Sequence, residues 1–418
     1  MKNNNNVSSL FGNNILSKCV CAVVFWIMTS LAATAQANDL SAEQKLGKDL
    51  FKDKNLSLNK NQSCASCHSL KVVDLFGDKE TPAPGFVDPE NVATGTPTSR
   101  GSVEGKFGGL NSPSAGYAAF SPTFFFDEVE GLWVGGQFWN GRAATLEEQA
   151  KGPFLNPLEM AMPSRWAVIS EIKNDRDYVE AFYDVYGFDL NAIPSNLMAL
   201  SDDNAPAEVF TAYNLMADAI ASFERSRIFN AFTSKFDFVE AGMTSFNDQE
   251  ARGKMLFEGK AQCALCHVTT SAQGPDGKLY PAVFSDFTYD NIGVPRNTSV
   301  PGNPPADIGL GATTGDAGDN GKHKVMSLRN IAVTAPYGHN GFFASLEEIV
   351  HFYNTRDVAS EGWATPEIMQ NVNVAELGNL GLTVNEEADI VAFMKTLTDE
   401  YQEWGMDPNV VKGSPSPW

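Results

Sequence analysis

The sequence predicts a mainly α-helical chain, built as two similar helical halves joined by long irregular loops. Three features predict it. Several segments place apolar residues at the helical period behind a capping signal. One helix-plus-motif segment occurs twice along the chain. The stretches between are rich in Gly, Pro, Ser and Thr and show no strand-like alternation. At 418 residues the chain is long enough for two or three domains with filled cores.

Taken in order, residues 1–37 read as a signal peptide. Lys2 and Lys18 supply its positive region, residues 19–33 its apolar stretch, and Ala35-Gln36-Ala37 its cleavage signal, so the mature chain is expected to begin at Asn38 and to be periplasmic. The apolar stretch is short for a membrane helix, which needs about 20 residues. No other stretch reads as membrane-spanning. Residues 41–52 form a helix with Ser41 and Gln44 as a capping box and Leu46, Leu50 and Phe51 on its apolar side. The stretch from Val72 to Ala119 reads as loop. Residues 206–228 form a long amphipathic helix, with Val209, Tyr213, Met216, Ile220 and Phe223 on one side. A domain boundary follows near residue 240. Residues 247–257 repeat the first helix, with Asn247 and Glu250 in the capping positions. Both helices contain G-K-x-L-F, at Gly47 to Phe51 and Gly253 to Phe257. Residues 295–322 read as a second long loop. Two capped helices close the chain, at 345–354 (Ser345, Glu348) and 383–397 (Thr383, Glu386), and the tail after Trp404 is expected to fray. The resulting division is a leader (1–37), an N-terminal domain (38–240), a C-terminal domain (241–404) and a tail (405–418).

Each G-K-x-L-F helix leads into the same pentapeptide, Cys-x-x-Cys-His, at Cys64–Cys67–His68 and at Cys263–Cys266–His267. Two thiols three residues apart lie on one helical turn and can form thioethers with the two vinyl groups of one porphyrin. The following His then reaches the iron. A four-cysteine zinc site would bring its pairs within roughly 20 residues of each other, whereas 195 residues separate Cys67 from Cys263. A thioredoxin-like redox pair needs one such motif in a βαβ setting, which is absent. The halves are therefore expected to be two cytochrome c-like helical haem domains carrying two covalently bound c-type haems. Of six cysteines, Cys19 and Cys21 leave with the leader and the other four belong to these motifs, so no disulfide is expected. A net charge of −21 disfavours nucleic acid and anionic membrane as partners and suits a basic or dipolar redox protein.

The chain resembles the bacterial di-haem cytochrome c peroxidase/MauG family over most of residues 41–400. Beyond the haem motifs the resemblance rests on Phe138-Trp139-Asn140-Gly141-Arg142-Ala143, the run from Leu146 to Pro153, and Asn156-Pro157-Leu158-Glu159-Met160. It continues in Leu328-Arg329-Asn330, the run from Thr334 to Gly341, and Leu346-Glu347-Glu348.

The resemblance implies a division of labour between the haems. His68 would hold the peroxidatic iron, with Glu159 as acid/base on its distal side and Gln149 and Pro153 lining the same pocket. Many relatives close this haem with a histidine from the loop after the first motif. Residues 69–137 contain none, so an iron open in the oxidised state is expected. His267 would hold the electron-transferring iron. Its sixth ligand falls at Tyr353, where classical peroxidases have Met; helical phase places Tyr353 on the face of Leu346, Ile349 and Val350 and puts His351 outside. Met326 and Met369 are reserve ligands. Trp139 would bridge the haems, and a calcium ion between them would be held by Asn111, Thr334 and Pro336. His339 reads as structural and His323 as a surface residue.

The activity implied is reduction of hydrogen peroxide to water with electrons from a small cytochrome c or cupredoxin. The runner-up is a MauG-like oxidase that stores oxidising equivalents on both haems and modifies a protein substrate. Tyr353 and the open first haem favour it, whereas Ala261, at the position of that enzyme's surface Trp, counts against it. A non-catalytic electron-transfer cytochrome is the third reading. The resemblance also allows a homodimer.

Overall fold

Eight helices of nine residues or more carry the described structure: α1 Ala42–Lys52, α2 Leu146–Leu155, α3 Arg165–Lys173, α4 Arg176–Tyr186, α5 Ala207–Glu224, α6 Asp248–Glu258, α7 Leu346–Thr355 and α8 Val384–Lys395. They are seen in a computed structural model that describes residues 40–70, 72–74 and 80–418. The expected leader lies outside the described residues. Two of the expected capping boxes form as read. Asn247 and Glu250 form a reciprocal box on α6, and Thr383 and Glu386 form one on α8. Ser345 caps α7, but Glu348 reaches back to the Ala344 amide, one residue before the cap. The long helix ends at Glu224, four residues earlier than its periodicity suggests. There the Asn230 side-chain amide donates to the carbonyls of Glu224 and Ser226 and turns the chain away. Helices α2, α3 and α4 are additions to the sequence reading. Each starts at a polar N-cap, Thr145, Ser164 or Asp175, whose side chain accepts an amide of its first turn.

Strand structure is also present, as four two-stranded antiparallel sheets that the sequence did not signal. They pair β1 Val72–Asp74 with β2 Glu80–Pro84, β3 Phe125–Asp127 with β4 Leu132–Val134, β5 Ala272–Gln273 with β6 Leu279–Tyr280, and β7 Tyr289–Asp290 with β8 His323–Lys324. Strands of two to five residues are too short to show an alternating pattern. The first hairpin and the helical turn Pro89–Thr94 both fall in the stretch read as loop. The tail does not fray. Val410 is buried against Phe238 and Tyr401, and the Trp418 carbonyl accepts from Arg227. Residues Ala42–Trp418 form one compact unit. No helix of the described residues is long and apolar enough to cross a membrane.

The repeated glycine has a packing cause. Helix α1 lies on α5 and α6 lies on α8. A Cβ built on Gly47 would sit 1.9 Å from the Ala219 carbonyl oxygen and 2.9 Å from the Phe223 Cβ; one on Gly253 would sit 1.9 Å from the Asp389 carbonyl oxygen and 2.9 Å from the Phe393 Cβ. The same close crossing is thus built twice. Gly253→Ala gains up to about 1 kcal/mol of helix propensity, but the helices must separate, at a cost of about 1–3 kcal/mol or more. Net destabilisation is expected in a denaturant titration, with Gly47→Ala behaving alike. A midpoint at or above wild type would show that the crossing is not close.

A buried ion pair joins segments far apart in the chain. Arg329 and Asp237 are both fully buried and pair through two contacts of 2.7 and 2.9 Å. The guanidinium also donates to Ser234 Oγ at 3.1 Å and, through Nε, to the Ala282 carbonyl at 2.8 Å. Tyr117, Phe232, Phe236 and Phe284 surround it with ring centroids 5.0–5.6 Å away.

Candidate haem sites

Each Cys-x-x-Cys-His motif opens onto its own cavity. The first, of about 240 Å³, is lined by Cys64, Cys67 and His68; the second, of about 270 Å³, by Cys263, Cys266 and His267. Cys64–Cys67 is a single helical turn and Cys263–Leu265 a 3₁₀ turn, each closed by the histidine amide donating to the first cysteine's carbonyl at 2.8 and 2.9 Å. Both histidines are oriented alike. Nδ1 of His68 lies 3.2 Å from the Phe86 carbonyl oxygen and Nδ1 of His267 lies 2.9 Å from that of Phe284, so Nε2 is left facing the cavity. Both phenylalanines hold the left-handed conformation that presents this carbonyl, with φ of 52° and 55°. Burial lowers both imidazoles, His267 to about 4, so each is neutral. It pushes the thiols of Cys67, Cys263 and Cys266 up to about 12. Neutral imidazoles aimed by a carbonyl, with paired thiols in apolar walls, fit a covalently held haem in each cavity.

The side chains that share each cavity with its histidine differ in kind. Glu159, Gln149 and Pro153 line the first cavity, and Arg142 joins them. Glu159 Oε1 accepts from Asn156 Nδ2 at 2.7 Å. Burial raises its carboxyl above the usual range, with Arg142 and Asn156 pulling the other way. Arg142 stacks on Phe138, its guanidinium carbon 3.5 Å from the ring centroid. Among the described residues His68 is the single histidine in this wall, and no described lysine lines it. Tyr353 lines the second cavity, and burial pushes its phenol up. Met326 also lines this cavity. Met369 does not: it is 67% exposed.

A second internal repeat explains this contrast. Helices α2 and α7 begin with Leu-Glu-Glu and lie two hundred residues apart, Leu146 against Leu346. The turns before them also correspond, with bridges between Gln137 and Ala143 and between Tyr337 and Phe343. Pro153 and Tyr353 occupy equivalent positions, each on its helix wall above a haem space. Proline offers no ligand there and tyrosine offers an oxygen.

Trp139 lines both cavities. Its Nε1 donates to the Asn111 carbonyl at 2.8 Å, and its own carbonyl accepts from the Lys324 amide. Asn111, Thr334 and Pro336 all line the second cavity. Among the described residues no hydrogen bond engages Asn111 Oδ1 or the carbonyls of Thr334 and Pro336.

His339 is buried, bonded to Glu367 at 3.0 Å, in keeping with a structural role. His323 is not the surface residue expected. Its side chain is 10% exposed, it lies 2.9 Å from Asp307, and it stacks on His339 with ring centroids 3.7 Å apart. The pairing of β7 with β8 and the Asp307 partner turn it inward. His351 stays on the outer side, held by Glu387 and Glu361. Arg142 and Glu224 were missed as cavity residues. Glu224 is buried with one oxygen unpartnered, and burial raises it to about 8. Its only sequence signal is an acid on the apolar side of α5, one turn beyond Ile220.

Two cavities, each with paired thiols and an aimed imidazole, define a protein built to carry two haems. A family model described as di-haem cytochrome c peroxidase matches residues 41–245. The methylamine utilization protein MauG of Paracoccus denitrificans is 36% identical over 408 residues, spanning 92% of this chain and 96% of that one. The cytochrome c peroxidase Ccp of Escherichia coli is 29% identical over 363 residues; the match covers 87% of this chain and 59% of Ccp. Among solved structures the di-haem peroxidase BthA of Burkholderia thailandensis aligns with a TM-score of 0.69 at 28% identity, over 87% of each chain. The chain belongs to the di-haem cytochrome c peroxidase family, and its class of activity is that of a di-haem peroxidase.

Proposed function

We propose that the chain is a periplasmic peroxidase that reduces hydrogen peroxide to two waters, taking two electrons from a small soluble carrier and two protons from solvent. The observation that carries this reading is the first cavity, where Glu159, Gln149 and Arg142 stand in the same wall system as His68 and no second histidine closes it. A haem bound there supplies an iron that accepts peroxide and cleaves its O–O bond. The chain's own part is positional. Glu159, with Oε1 fixed by Asn156, offers its other oxygen to take the proton of the bound oxygen and return it to the leaving one. Arg142 favours charge at Glu159 and lines the same cavity. Pro153 keeps the distal face free of a competing ligand. The two-domain division near residue 240, a calcium ion at Asn111, Thr334 and Pro336, and Trp139 as the bridge between haems belong to the same proposal. The position of Trp139 in both cavity walls supports the last of these.

The experiment is spectroscopic and kinetic. As isolated, the first haem is expected to give a high-spin signal and to bind peroxide or cyanide directly. Two low-spin six-coordinate haems, inert to peroxide, would overturn the reading in favour of a plain electron-transfer cytochrome.

Tyr353 favours a second reading, a MauG-like oxidase acting on a protein. Ala261, buried at 4% exposure, provides no surface aromatic to support it. Tyr353→Phe is expected to change the second haem's absorption and raise its midpoint potential, within the ~0.8 V that axial ligands span. An unaltered spectrum removes Tyr353 from coordination. Titration with peroxide and no reductant separates the two readings: retention of both oxidising equivalents marks the oxidase, and a need for prior reduction marks the peroxidase.

A further inference from the structure

The β3–β4 hairpin is exposed on both faces. Phe125 is 44% exposed, Phe126 39%, Leu132 42% and Val129, at the turn, 89%. Four large apolar side chains on ten residues of chain form a patch of the kind that marks a binding surface. A two-stranded hairpin has little stability of its own, so a function must offset this exposure. The turn carries Asp127, Glu128 and Glu130, and among the described residues none of the three forms an ion pair. Asp127 is partly used within the turn, accepting the amides of Val129 and Glu130. Glu128 and Glu130 are free to meet a cation.

The hairpin is wired inward. Phe126 meets Trp133 edge-on at 5.2 Å, Trp133 stacks on Phe124 at 4.7 Å, and Phe124 meets Tyr289 at 6.1 Å. Tyr289 donates to the Gly135 carbonyl at 2.5 Å, and the Gly135 amide donates to the Phe287 carbonyl at 2.9 Å. Asp290 and Asn291, next in the chain, line the second haem cavity, and β4 itself runs within five residues to Trp139. Packed aromatic contacts therefore join the exposed tip to the elements around the electron-transferring site.

We propose that this hairpin is the docking surface for the electron carrier, and that the carrier is a small protein whose contact face is apolar at the centre and ringed by lysines. The proposal rests on the peroxidase reading and adds where the electrons enter. Apolar residues with unpaired acids complement such a face, and the chain's net charge of −21 draws it in. Each docking transfers one electron, oxidising the carrier's Fe(II) or Cu(I) by one unit and reducing the second haem by one. Two dockings supply the pair that, with two protons, converts one peroxide to two waters.

The test uses the full di-haem protein with Glu128→Lys and Glu130→Lys together, and separately Phe125→Ser with Phe126→Ser. The probe is a reduced lysine-rich cytochrome c; hydroquinone serves as a small neutral reductant. Affinity for the cytochrome is measured directly by calorimetry, and turnover with both reductants. The charge variant is expected to weaken cytochrome binding more than about tenfold at low salt, flatten its salt dependence and leave hydroquinone turnover unchanged. The phenylalanine variant should weaken binding at all salt concentrations. Unchanged cytochrome affinity in both variants overturns the docking site. A wild-type dimer that either variant dissociates also overturns it, because the patch is then a contact between copies. Weakened binding in a wild-type background that turns over no peroxide with either reductant leaves the docking site standing and removes the peroxidase reading.

Discussion

Replacing Glu159 with glutamine is expected to lower peroxide turnover by about 10²–10⁴-fold, the usual share of a positioned acid/base, while both haems stay attached. Glutamine keeps the shape and can still meet Asn156, which now donates to Glu159 Oε1 at 2.7 Å. It cannot accept and return a proton. The pH profile gives a second readout. As a base Glu159 must be ionised, and burial raises its carboxyl above the usual range. Turnover is therefore lost as pH falls through that raised value, and this acid limb should vanish from the residual activity of Glu159→Gln. Stopped-flow mixing with peroxide checks both points. Near wild-type rates with the acid limb intact would place the proton path elsewhere, with Glu224 the next carboxyl in the same cavity.

Arg329→Met is expected to destabilise the protein by about 3–5 kcal/mol, the penalty for leaving one partner of a buried pair uncompensated. The stranded group is Asp237, fully buried and, among the described residues, otherwise held at its carboxylate only by the Ser234 hydroxyl and amide. The effect should reach the second haem. Arg329 Nε holds the Ala282 carbonyl, two residues before the Phe284 carbonyl that orients His267. Denaturant titration should show the lowered midpoint, and the second haem's spectrum should broaden while the first is unchanged. Adding Asp237→Leu should recover part of the loss, because two apolar groups replace the pair. A single variant as stable as wild type would mean that solvent reaches Asp237.

Much of the site was legible because covalent chemistry demands short, fixed spacings. Cys-x-x-Cys-His can be read at sight, and the helices leading into it announce themselves by capping boxes and by G-K-x-L-F. The glycine in that repeat was readable as a pattern but not as a cause: only the crossing helices show a carbonyl 1.9 Å from where its Cβ would be. Short strands and the packed tail left no signal, because two to five residues are too few for a period and the tail's anchors, Phe238 and Arg227, are far away in sequence. His323 was misread for the same reason. Its environment is made by Asp307 and His339, which the sequence alone does not bring to it.

By itself the sequence carried the two Cys-x-x-Cys-His motifs, the histidines expected to reach the irons, and a stretch after the first motif that holds no histidine. The tertiary structure decided how the two sites differ. It set Glu159 and Arg142 in the wall of the His68 cavity, put Tyr353 where Pro153 stands in the equivalent helix, and placed Trp139 in both walls. Ligand motifs are local because two thioethers and one imidazole must meet a single porphyrin. The residues opposite them come from helices scores of residues away, and only packing brings those faces together.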